Sequence, residues 1–264
     1  MKLGIEKIAM WMKSNRLRMN SSKTDFLWCA TRRRCHQLST EAMLIDDASL
    51  IPSSTVRDLG AILQPDMSMT SHVNQIVGRC FRQLRLIKSC VKSLTFQAAR
   101  TAVNSFVISR VDYCNSLLAG IPKCLLDRLQ SVLNASAKLL CGCRKYDHVT
   151  PLLRDRLHWL PVPQRIKFKL YLLTFNSLRR MAHRYIADLC LSMSAAESGY
   201  NLRSTAHGDL RVPKTCTKFG DRAFSVAGPR AWNKLPVDIR ACVSVDSFKR
   251  KLKQHLFYIA YGLN

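Results

Sequence analysis

Residues 110–169 read RVDYCNSLLAGIPKCLLDRLQSVLNASAKLLCGCRKYDHVTPLLRDRLHWLPVPQRIKFK. Leu125, Leu126, Leu129, Val132, Leu133, Ala137 and Leu140 return every three or four residues, which predicts one amphipathic helix opened near Pro122. Cys141-Gly142-Cys143 stops it. The turn at Leu160-Pro161-Val162-Pro163 then releases a second long helix, because proline breaks one segment and sits well in the first turn of the next. That helix carries Arg165, Lys167 and Lys169, so the stretch joins a helical bundle to a basic C-terminal half.

On the N-terminal side of this stretch the same period continues. Val73, Ile76, Val77, Cys80, Leu84, Ile87 and Val91 form one stripe, with Arg79, Arg82, Arg85 and Lys88 mostly off it. Ser93-Leu94-Thr95 breaks the pattern and supplies Thr95 as an N-cap for a helix carrying Phe96, Ala99, Val103, Phe106 and Val107. Residues 70–145 thus predict a three-helix bundle. Residues 1–69 read differently: a short helix at 3–13 whose Leu3, Ile5, Ile8, Ala9 and Met12 suit packing on a sheet, a strand-like FLWCA (26–30), and two hairpins. Residues 146–264 read as mostly helical, with a loop over 192–216 that includes short strands at LRSTA and LRVP, and a last helix from Val245 to Tyr261. The expected fold class is mainly α with a small antiparallel β portion.

Composition narrows the function classes. The chain has 264 residues and a formal charge of +25. Residues 1–150 hold 22 basic and 10 acidic side chains and residues 151–264 hold 20 and 7, so the whole body is basic. An excess of this size points to a polyanionic partner, RNA or DNA before an anionic membrane. No run of 18 apolar residues and no apolar N-terminal core suggest insertion or secretion, so a nuclear or cytoplasmic location is expected. The eleven cysteines are accordingly expected to be reduced thiols, with Cys80, Cys90, Cys124 and Cys190 acting as small buried hydrophobes.

VDYCNSLLAGIP, LDRLQSVLNASAKLL and HVTPLLRDRLHWLPVPQRIKFK resemble the C-terminal part of reverse transcriptases from non-LTR retrotransposons of the jockey-like branch. WMKSNRLRMNSSKTDFL, VRDLGAILQPDMSM, GDRAFSVAGPRAWNKLP and FKRKLKQHLF agree in the same order. The resemblance implies the edge of the palm for 1–69, a thumb for 70–145, and a basic C-terminal region for 146–264. It also implies a role near the incoming nucleotide for Lys23 and a primer-grip hairpin with Leu59-Gly60 at its turn. RNA-directed DNA synthesis with Mg²⁺ is implied for the parent protein, whose missing N-terminal part would be a partner. The family's aromatic-x-Asp-Asp does not occur here. Asp46-Asp47 follows Lys23 rather than preceding it and reads as a hairpin turn between MLI and SLI. No catalytic residue and no cofactor are therefore expected in this chain, which by itself should not polymerise. The alternative is a stand-alone basic RNA- or DNA-binding protein derived from a retroelement.

Asp112-Tyr113-Cys114-Asn115 has no histidine or second carboxylate at a defined spacing, so helix capping and packing are expected. Cys141, Cys143, His148 and His158 match none of the usual zinc spacings, and no metal site is assigned. In the helix after Pro163, Arg165, Lys169, Asn176 and Arg180 fall in one sector with Arg179 adjacent, interrupted by Leu172. This edge is expected to seek phosphates, as are Lys249 and Arg250 of the last helix. Phe224 and Trp232, interleaved with Arg222 and Arg230, read as core.

Overall fold

Because the 3.6-residue period dominates the sequence, the chain folds as mainly α with a small antiparallel β part; the computed structural model describes residues 2–20, 23–45, 48–144, 146–193 and 208–262. It divides into two compact units, Met1–His72 and Val73–Asn264. The expected segments 70–145 and 146–264 share the second unit, apart from its first three residues.

In the first unit, α1 (Lys2–Ser14) half-buries Ile5, Ala9 and Met12 but leaves Leu3 and Ile8 exposed, so the sheet-packed stripe expected there forms only in part. α1 does not pack closely against either hairpin among the described residues. β1 (Met43–Ile45) pairs antiparallel with β2 (Ala48–Leu50), and the connecting Asp46-Asp47 lies outside the described residues. β3 (Val56–Asp58) pairs with β4 (Ala61–Leu63) across Leu59-Gly60. Both turn residues have positive φ, 44° and 90°, the geometry of a tight hairpin turn whose second position favours glycine. FLWCA is not a strand: within it only Phe26 bridges, to Pro52, because no neighbouring strand runs beside the rest.

In the second unit the predicted helices form, and their burial follows the stripes. On α2 (Thr70–Cys90), Val73, Ile76, Val77, Cys80, Leu84 and Ile87 are all buried. Thr95 caps α3 (Phe96–Val103), its hydroxyl accepting from Ala98 N–H at 3.2 Å. Wider π turns over Asn104–Ile108 and α4 (Ser109–Asp112) prolong this rod. The wider turns change the register, so Val107 and Ile108 face inward while Phe106, expected in the stripe, is exposed with Phe96. α5 (Lys123–Cys141) buries Leu125, Leu129, Val132, Leu133, Ala137 and Leu140. It ends in a Schellman motif: Gly142 takes φ 66°, and Cys143 N–H donates to Lys138 O at 3.0 Å. Arg128 of α5 donates to Asn74 of α2.

α6 (Val162–Leu178) begins where Val162 N–H donates to Gln130 Oε1 at 2.9 Å, giving one open helix-start donor a partner on α5. Beyond α7 (Arg184–Ala187), α8 (Phe224–Trp232) packs against α6 at Gly228, where an added Cβ would sit 3.0 Å from Thr174 Oγ1 and from the Phe224 ring. α9 (Val237–Arg240) precedes α10 (Val245–Tyr261), which Ser244 caps. Phe175 stacks on Phe248 at 4.2 Å between ring centroids, beside the buried Trp232. Phe224 is half-buried against this cluster. The LRSTA strand lies outside the described residues, and Leu210 of LRVP makes a single bridge to Ser192.

The ten described cysteines are free thiols. Cys80 and Cys190 are buried as expected, whereas Cys90 and Cys124 are exposed, because each lies on its helix away from the apolar stripe. Burial pushes the Cys80 thiol up to about 11, which removes thiolate chemistry at neutral pH. No described helix is long and apolar enough to cross a membrane.

Candidate nucleic-acid interface

α2 presents its cations outward because they fall between the apolar positions of its stripe. Arg82, Arg85 and Lys88 are exposed and Arg79 half-buried, stepping every three residues across the face opposite the core. Among the described residues none of them has a carboxylate within ion-pair distance. Asp112 is the only acidic residue in the sixty positions between Asp66 and Asp127, so nothing on α2 or α3 opposes this charge.

α6 handles its cations differently. Arg165 is turned into the fold, where Nη1 donates to Asp112 Oδ2 at 2.7 Å and Nε to Leu160 O at 2.7 Å, and the guanidinium lies 5.9 Å from the Trp159 ring. Arg179 lies over the Phe175 ring and donates to Cys242 O at 2.7 Å. Arg180 stands past the helix end with φ 55°, outside the helical sector that the periodicity gives it. Lys167 and Lys169 are exposed within the helix and have no ion-pair partner among the described residues.

Arg165 and Lys169 nevertheless meet in one place. They share a cavity of about 340 Å³ with Asp112 and Asn115 from the end of the α4 rod, Phe168 and Leu172 from α6, and Lys253 from α10. Desolvation raises the Asp112 carboxyl above its ordinary value, and Arg165 and Lys169 offset this only in part. Asn115 is buried, its Nδ2 donating to Asp112 Oδ1 at 3.5 Å, and its own Oδ1 has no partner. The Arg165–Asp112 link spans 53 residues, and the one sequence signal for it is the isolation of Asp112 in a basic stretch.

The other named positions lie apart. Lys249 pairs loosely with Asp246 at 3.9 Å, and Arg250 is exposed beside it. Arg222 and Arg230 serve the fold: Arg222 donates to Ala119 O, and Arg230 pairs with Asp221 at 2.9 Å. In the first unit, Lys23 is exposed in the turn region after α1, and Leu59-Gly60 forms the tip of the second hairpin with Leu59 exposed. Cys141, Cys143, His148 and His158 do not assemble, and among the described residues no three His, Cys, Asp or Glu side chains form a metal cluster.

Comparison with protein-family models, with curated proteins and with solved structures finds no match to this chain.

Proposed function

We propose that the chain binds nucleic acid through the phosphate backbone, with its second unit as the gripping body. The observation that carries this reading is the row of exposed cations on α2, Arg82, Arg85 and Lys88, which meet no carboxylate among the described residues and are mounted on a helix whose other side is packed. A rigid helix sets the Cβ atoms of successive cations about 5–6 Å apart without ordering backbone at binding, so only side-chain rotamer entropy opposes their attraction to a polyanion. Lys169, Arg250 and Lys253 extend the same chemistry to α6 and α10.

Taken with the resemblance of its motifs, the reading makes the chain the C-terminal portion of a non-LTR retrotransposon RNA-directed DNA polymerase. Its contribution is to hold template and duplex while catalysis and Mg²⁺ reside in a preceding part.

Purified full-length chain titrated with a structured RNA and with a duplex at 50 and 200 mM salt tests the binding claim. Six phosphate contacts would lower affinity by about 10³-fold over that range through counterion release. Equal affinity at both salts, or no binding at 50 mM, defeats it.

A further inference from the structure

The cavity between α6, α10 and the end of the α4 rod has a lining that a purely phosphate-directed surface does not need. Lys169 and Lys253 favour an anion, yet Asp112 faces the same space with its side chain 39 % exposed, and a bare phosphodiester would be repelled by it. Arg165 holds that carboxylate at 2.7 Å from one side and Asn115 from another, which fixes its position without covering it. Asn115, 4 % exposed, also lines the cavity and its buried Oδ1 has no partner among the described residues, while Phe168 and Leu172 add apolar surface.

A ligand that answers all of this has an anionic group, a hydroxyl donor a few ångströms away, and a flat or apolar body. A ribonucleotide has each: phosphate, 2′-hydroxyl, and sugar with base. A fixed carboxylate is a known acceptor for a ribose 2′-hydroxyl, and that hydroxyl is the group by which proteins separate RNA from DNA. The cavity volume lies at the small end of the range for ligand sites, suited to one nucleotide and not to a duplex.

We propose that this cavity holds one ribonucleotide of a bound RNA strand, its phosphate between Lys169 and Lys253 and its 2′-hydroxyl donating to Asp112, so that the chain prefers RNA to DNA of the same sequence. This rests on the nucleic-acid reading above and deepens it.

The test measures affinity of the full chain for one single-stranded sequence made as RNA, as DNA and as 2′-fluoro RNA, which keeps the ribose-like pucker but has no hydroxyl proton. Wild type should bind RNA roughly tenfold more tightly than either analogue, the worth of one charge-assisted hydrogen bond. Asp112→Ala should bring the ratio of RNA to 2′-fluoro RNA affinity down to about one, whatever it does to the affinity common to all three probes, and Lys169→Ala with Lys253→Ala should weaken all three probes together. Equal binding of RNA and 2′-fluoro RNA by wild type overturns the inference and leaves phosphate binding standing, and this arm needs no variant to fold. An RNA preference that survives Asp112→Ala undiminished also overturns it. Absence of binding to every probe defeats the nucleic-acid reading itself.

Discussion

On α2, Arg82, Arg85 and Lys88 are exposed off a fully buried stripe and meet no carboxylate among the described residues, whereas on α6 Arg165 is 14 % exposed and closed onto Asp112 and Leu160 O. Both helices carry basic residues at helical spacing. They differ in what surrounds them: α2 is packed along one face, while α6 is packed on most of its circumference, against α5, α8 and α10. A cation on a helix of the first kind has only water and ligands to meet. On the second kind a cation that falls within the packed part, as Arg165 does, must find an internal acceptor, since a buried unpaired charge costs far more than an exposed one.

The contrast yields predictions of decreasing size. Phe175→Ala should destabilise the chain by about 3–5 kcal/mol in chemical denaturation, since the ring is fully buried against Phe248 and Trp232 and its removal leaves a cavity. A loss below about 1 kcal/mol would show that α6 is not the packed helix described. Arg165→Ala should cost about 2 kcal/mol, because Asp112 loses its charged partner and Leu160 O its donor. Arg165→Lys should recover only part of this, as one ammonium lacks the guanidinium's fixed fork.

Replacing Arg82, Arg85 and Lys88 together with alanine should leave stability within about 0.5 kcal/mol, as expected of exposed sites without partners. A loss approaching that of Arg165→Ala would erase the distinction between the two helices.

α2 resembles α6 at its own buried end, and there the effect is smallest. His72 Nδ1 accepts from Ile62 N–H at 3.3 Å, and burial lowers the imidazole below its ordinary value of 6.5. A base whose folded value is depressed binds fewer protons folded than unfolded, so stability rises with pH across this window. The chain should therefore lose stability as pH falls below about 6.5, the loss levelling off below the folded value. Thermal unfolding at pH 8 and pH 5 checks the sign. The His72→Gln variant, which keeps an acceptor but does not titrate, should show a smaller difference.

Most of the fold was legible where local rules suffice. The stripes of α2 and α5, the Thr95 cap, the Gly142 stop and the Leu59-Gly60 turn all rest on residues a few positions apart. Reading failed where the deciding partner is remote. FLWCA has β-forming side chains but pairs only near its ends, where Phe26 bridges to Pro52 and Ala30 N–H donates to Pro65 O at 2.9 Å, and Phe106 is exposed because π turns alter the register that a 3.6-residue period assumes. The sector of α6 was partly legible: Arg165 and Lys169 do share a face, but their common feature is a cavity with Asp112. That carboxylate lies 53 positions from Arg165, beyond any helical spacing.

The most direct test is the slope of log affinity for RNA against log salt, compared between wild type and the Arg82→Ala, Arg85→Ala, Lys88→Ala variant. Each lost phosphate contact should shrink the slope by about one, so the variant's should be shallower by about two to three. An unchanged slope with unchanged affinity would contradict the assignment of α2 as the gripping face.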